Sequence, residues 1–101
     1  MLLDLAEIVG FEWDDGNAWK SIDKHGVTQR EAEQVFYNAP LAIAPDLAHS
    51  TAEMRLHALG VTAEGRRLMV SFTVRGEGTL IRVISARDMS RYERRRYGEA
   101  S

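Results

Sequence analysis

Leu68, Val70, Phe72 and Val74 alternate with Met69, Ser71, Thr73 and Arg75, a period of two that predicts a half-buried strand. Met54, Leu56 and Ala58 alternate in the same way with Arg55, His57 and Leu59. The loop Thr62-Ala63-Glu64-Gly65-Arg66 joins these two strands, and Gly76-Glu77-Gly78 leads into a third over residues 79–86. This third strand carries apolar side chains on both faces, with Leu80 and Ile84 opposite Ile81 and Val83. That pattern predicts a central, covered strand. A shorter mixed stretch, residues 6–13, reads as a strand, and Leu41, Ile43 and Leu47 read as a weak extended segment around Pro45.

Between these runs the period becomes helical. Asp14 or Asp15 can cap a helix start, with Ala18, Trp19 and Ile22 at helical spacing. Gly26 stands where a left-handed C-terminal cap belongs, with Lys24 and His25 in the last turn. Thr28-Gln29-Arg30-Glu31 has the form of a capping box and opens a second helix, whose apolar face is Ala32, Val35 and Phe36 and which ends near Asn38 and Pro40. Ser90-Arg91-Tyr92-Glu93 is a second capping box and opens a final helix. The predicted order is β-α-α-β-β-β-α. It describes an α+β fold: an antiparallel sheet of three to five strands with two N-terminal helices and one C-terminal helix. Trp13 and Trp19 are expected in the core or in a staple.

The 101 residues fit a single domain spanning 1–101, long enough to bury a core without staples. Hydrophobic residues at 45% and charged residues at 28% exclude a disordered chain. The absence of cysteine excludes a disulfide scaffold, an iron–sulfur site and a thiol nucleophile, and is compatible with a cytoplasmic location. The opening MLLDLAEIVG lacks a basic region and is not expected to be a secretory signal. No apolar stretch is long enough to suggest a membrane span.

The overall charge of −2 conceals a division. Residues 1–50 carry three basic and nine acidic groups, whereas residues 51–101 carry ten basic groups, all arginine, and six acidic ones. Guanidinium forks suit phosphate, so the C-terminal half is a candidate polyanion surface, and the acidic half argues against general DNA coating. Nucleotide-binding, zinc-protease, hydrolase and EF-hand signatures are missing. His25, His49 and His57 lack metal-ligand spacing, so neither metal nor cofactor is expected.

The candidate chemistry is therefore an arginine constellation. Arg82 interrupts an apolar strand and must be paired or face a cleft; Glu53, Glu93 or an N-terminal acid would serve as partner. Arg87, five residues on, points to the opposite face unless the strand bends near Ser85. Arg91, Arg94 and Arg95 share one side of the last helix.

Phe11-Glu12-Trp13-Asp14, Lys24-His25-Gly26-Val27, Glu31-Ala32 to Val35-Phe36, Glu53-Met54-Arg55 followed by Gly60, Ile84-Ser85-Ala86-Arg87 and Glu93-Arg94-Arg95-Arg96-Tyr97 occur in the order seen in BrnT-type toxins. The chain resembles that family over about residues 11–97. The pieces KHG, ISAR and ERR-x-Y are specific only together. Gly16 and Trp19 depart from the family's more polar or small positions. The resemblance implies a RelE-like fold and a ribonuclease that cuts RNA and inhibits translation in the bacterial cytoplasm. It also implies a BrnA-type antitoxin with a ribbon-helix-helix domain, in a 2:2 heterotetramer that reaches operator DNA only through the antitoxin.

Metal-free RNA scission needs the 2′-hydroxyl deprotonated, the phosphorane charge stabilised and the 5′-oxygen protonated. Arg82 and Arg87 are the candidate phosphate ligands, and Glu53, His25 and Tyr97 the candidates for proton transfer or base stacking. Lys24, Arg55, Arg91, Arg94 and Arg95 are the expected RNA contacts. Each has a plainer role beside it. Glu93, a further candidate acid or base, is also the capping-box carboxylate; His25 can simply end a helix, His57 can be a half-exposed strand residue and Tyr97 can anchor the last helix. The alternative function is a non-catalytic RNA- or protein-binding module, a degenerate toxin acting as co-repressor.

Overall fold

The computed structural model describes residues 5–49 and 53–100. After a 3-10 turn at Leu5–Glu7 come β1 (Gly10–Phe11), α1 (Lys20–His25), α2 (Gln29–Val35), β2 (Ala42–Pro45), β3 (Leu56–Val61), β4 (Arg67–Arg75), β5 (Leu80–Asp88) and α3 (Arg91–Ala100). The strands form one sheet in the order β1-β5-β4-β3-β2. The α+β class holds, but the sheet is mixed: β1 pairs parallel to β5, while the other pairings are antiparallel. The expected first strand shrinks to two residues, because Val9 and Glu12 donate to Thr79 and Ile81 only around that short contact.

Local signals place most of the elements. Thr28 and Glu31 form both hydrogen bonds of the capping box, and Ser90 and Glu93 do the same for α3. Gly26 closes α1 in the left-handed region at φ 65°. The first helix begins later than the acids suggested. Asp14 instead holds a turn, its carboxylate accepting from Gly16 N–H and its carbonyl from Asn17 and Ala18. Lys20 then starts α1 behind Trp19, which offers no side-chain cap.

The core lies on one face of the sheet, under α1 and α2. Val27, Ala32 and Val35 meet Leu56, Ala58, Leu68, Val70, Phe72, Ile81, Val83 and Ala86 there. Phe36 stands edge-on to Phe72 at 5.0 Å between ring centroids. Gly60 lets α2 approach β3; a Cβ at that position would lie 2.6 Å from Val35 Cγ1. Trp13 packs against this core and donates its indole N–H to Glu33 at 2.7 Å. Trp19 does not join it and is 60% exposed, since it precedes α1 on the outer side of the turn.

β4 is the middle strand, and Leu68 to Thr73 are buried on both faces despite their alternation. The cause is α3, which lies near β3 across the second face, its Tyr97 buried with the hydroxyl donating to Pro40 at 2.6 Å.

Candidate active site

The second face is set by an irregularity in β5. Ser71 pairs with Ser85 but Phe72 pairs with Val83, so one extra residue stands in β5 between them. Side chains from α1 and the turn before it occupy the backbone groups there. Ser21 Oγ accepts from Ala86 N–H at 2.7 Å, and the buried Asn17 amide donates to Val83 at 2.8 Å and to Glu12 at 3.1 Å. The bulge resets the alternation. Arg82, Ser85 and Arg87 lie opposite Thr73, Ser71 and Met69, and therefore share the face away from α1 and α2. The expectation that Arg87 faces away from Arg82 holds only for a regular strand, and the irregularity beside Ser85 brings the two arginines to one side instead.

Arg82 is largely buried and belongs to an ion network. Its Nη1 lies 3.0 Å from Glu12 Oε1 and 2.8 Å from Asp14 Oδ2. Arg75 extends the network, with Nε 2.8 Å from Glu53 Oε2 and Nη1 3.7 Å from Glu12. Two guanidiniums thus face three carboxylates. The hydrogen bond from Arg82, aided by Gly16 N–H, holds the Asp14 carboxyl below its usual value, and Asp14 raises Arg82 in return. Gly16 gives the room, for a Cβ there would stand 3.3 Å from Arg82 Nη2. The N-terminal acids are Arg82's partners, and Glu53 reaches the same network through Arg75.

Arg87 makes a two-point pair with Glu93, Nη1 to Oε1 at 2.7 Å and Nη2 to Oε2 at 2.9 Å. Burial pushes the Glu93 carboxyl up, but the hydrogen bonds from Arg87 and Ser90 outweigh it and leave it low. Glu93 is thus capping carboxylate and arginine partner at once.

Beside this pair lies a cleft of about 400 Å³ between the sheet and α3. Its floor is apolar: Ala42, Leu59 and Met69. Its rim is polar, with His57 from β3 on one side and Tyr92, Glu93 and Arg96 from α3 on the other. Arg96 sits 5.9 Å from the Tyr92 ring centroid, and Tyr92 is 67% exposed. His57 Nε2 lies 3.0 Å from Oδ2 of the buried Asp46, which also accepts from His49 Nδ1 at 2.8 Å. Burial raises the Asp46 carboxyl, and the bond from His49 with the charges of both histidines overcomes this, so it lies below the ordinary range.

The other expected residues fall elsewhere. Arg91, Arg94 and Arg95 are exposed along α3 and do not line the cleft; the charge of Arg94 acts on Asp88. Arg55 immediately precedes β3, its carbonyl accepting from Asp46 N–H. Lys24 and His25 end α1 on the opposite layer. The His25 carbonyl accepts from Arg66, whose guanidinium joins Glu31 and Asp88. Tyr97 is buried, its hydroxyl committed to Pro40, and burial raises its pKa. Neither His25 nor Tyr97 meets Arg82 or the cleft. Nothing in the sequence pointed to Tyr92 and Arg96 as cleft residues or to the buried Asp46 as partner of His57, and His57 read as an ordinary strand residue. The pairing of β2 with β3, which sets Ala44 against His57, is the signal that joins Asp46 to it.

An α+β sheet with Arg82 and Arg87 on one face, and a cleft beside an arginine-rich helix, presents a candidate polyanion-binding surface. The family described as "Ribonuclease toxin, BrnT, of type II toxin-antitoxin system" matches residues 13–93. The chain belongs to this BrnT family. A search of curated proteins finds no match. Among the described residues no helix is long and apolar enough to cross a membrane.

Proposed function

We propose that this ribonuclease toxin is a metal-independent endoribonuclease of RelE-like build, which cleaves RNA in the bacterial cytoplasm and thereby inhibits translation. A BrnA-type ribbon-helix-helix antitoxin neutralises it in a 2:2 complex, and operator DNA is contacted only through that antitoxin. The observation that carries the reading is the juxtaposition on α3. Arg91, Arg94 and Arg95 are exposed along one helix, with Arg94 near Asp88, and the same helix offers Tyr92 and Arg96 to the cleft. Phosphates along a strand meet these arginines, and a base enters the cleft against Tyr92. Arg82 and Arg87 contribute to the phosphate once RNA replaces their carboxylates, with Glu53 linked to them through Arg75.

One observation favours a second reading, a binding module without catalysis. Both arginines expected to hold the phosphate are already neutralised by carboxylates. Incubation of the purified chain with RNA separates the two. The enzyme leaves fragments ending in 2′,3′-cyclic phosphate, made at the same rate with or without EDTA, and its induced expression halts growth. Arg87→Ala lowers the rate by about 100-fold or more while RNA binding persists. Intact RNA after incubation, with binding that weakens with salt at a log–log slope of about −3, establishes the module instead.

A further inference from the structure

We propose that His57, oriented by Asp46, is the general base that removes the proton of the ribose 2′-hydroxyl in the cleft beneath α3, an assignment that rests on the ribonuclease reading. The hairpin of β2 and β3 builds the pair. Ala44 lies opposite His57, Pro45 opposite Leu56, and Asp46 N–H continues the ladder by donating to Arg55 at 2.8 Å. The Asp46 backbone is therefore fixed, and its buried carboxylate reaches His57 Nε2 at 3.0 Å.

An ionised carboxylate only accepts hydrogen bonds, so in the neutral imidazole Nε2 must carry the proton. Nδ1 then bears the lone pair. It makes no hydrogen bond among the described residues, and the His57 side chain is 36% exposed at the cleft rim. Across the cleft stand Arg96, for phosphate, and the Tyr92 ring, for a base. The volume of about 400 Å³ suits one nucleoside.

The step balances within the RNA. Nδ1 takes the 2′-hydroxyl proton, the 2′-oxygen forms a bond to the adjacent phosphorus, and the bond from phosphorus to the 5′-oxygen breaks. The departing 5′-oxygen takes a proton from solvent, and the imidazolium returns its own to solvent. The products are a 2′,3′-cyclic phosphate and a 5′-hydroxyl. Asp46 is a positioning residue, holding the tautomer as the carboxylate of a catalytic triad does.

The test uses the full chain. Single-turnover cleavage is followed for wild type, His57→Ala, His57→Gln and Asp46→Asn, beside binding of an unreactive 2′-O-methyl RNA. His57→Ala is expected to slow cleavage by about 100-fold or more with binding changed by less than about threefold. Added imidazole is expected to restore His57→Ala at least about tenfold and to leave wild type unchanged. His57→Gln, which retains a donor toward Asp46, shows the same loss and guards against a variant that fails to fold. Asp46→Asn shifts the His57 ring toward the Nδ1–H tautomer in nitrogen NMR and slows cleavage in parallel. Cleavage by wild type and by both His57 variants at similar rates overturns the assignment alone, as does a loss that imidazole does not repair in a folded variant. A wild type that cuts no RNA overturns the ribonuclease reading and this assignment with it.

Discussion

The two faces of the sheet are built from the same three strands and do opposite work. Toward α1 and α2, alternate residues of β3, β4 and β5 are hydrocarbon: Ala58, Val70, Phe72, Val83. On the other face the intervening positions are His57, Ser71, Thr73, Arg82 and Arg87. The polar groups on the helix side are few and used locally, as when Ser21 and Asn17 complete the backbone at the bulge. Those on the open side include His57, Arg82 and Arg87, each held by a carboxylate from outside these strands. The difference segregates the hydrocarbon core from the charged groups across a sheet one residue thick, so on the proposed function neighbouring substitutions should have unlike consequences.

Phe72→Ala should break the comparison most severely. It empties the side chain at the centre of the helix-side core and is expected to cost about 3–5 kcal/mol in chemical denaturation. Function would then fail through unfolding, whereas loss at His57 or Arg87 would occur in a folded protein. Gly60→Ala acts on the same face with a smaller effect. Its methyl group meets Val35 and is expected to destabilise by about 1–3 kcal/mol, read as a lower urea midpoint at unchanged slope.

The smallest effect concerns the ionic edge of the helix side. The backbone hydrogen bond at Thr28, with Arg66, lowers the Glu31 carboxyl, and the hydrogen bond from Arg66 lowers that of Asp88. Because these folded values lie below the unfolded ones, their contribution is complete above about pH 5 and is lost as the pH falls through the folded values. Urea midpoints at pH 7 and pH 3 measure the loss. Arg66→Gln should narrow the difference by something on the order of 0.3 M, since the groups are partly exposed, and should leave RNA cleavage at pH 7 unchanged.

What could be read in the sequence was what depends on neighbours in the chain. Thr28 with Glu31, Ser90 with Glu93 and the glycine after His25 each lie within one turn, and each forms the cap its spacing implies. The alternation of β3 and β4 and the weak strand around Pro45 were equally visible. The parallel pairing of β1 was not, because two residues carry no period and the partner is about 70 positions away. Nor was the exposure of Trp19, which depends on where the Asp14 turn releases the chain. At the site, the need of Arg82 for a carboxylate partner followed from placing a charge in an apolar strand, with Glu53, Glu93 and an N-terminal acid all open. The particular acids required the fold, since Glu12 and Asp14 lie 70 and 68 residues away. The pairing of Asp46 with His57 crosses a hairpin and needed its register.

The bulge in β5 gives the strand two reading phases joined at a single amino acid. Upstream of the splice, even-numbered positions look toward the open side; downstream, odd-numbered ones do. The Arg82-to-Arg87 segment therefore responds to added length in a way that the surrounding loops do not. Inserting one residue there without a second bulge would turn the Arg87 guanidinium into the hydrocarbon layer with every side chain chemically intact, whereas removing Ile84 would leave Arg82 and Arg87 on one face of a regular strand. The two arginines thus share a face through a count of residues rather than through any property of their side chains, and one added residue is enough to separate them.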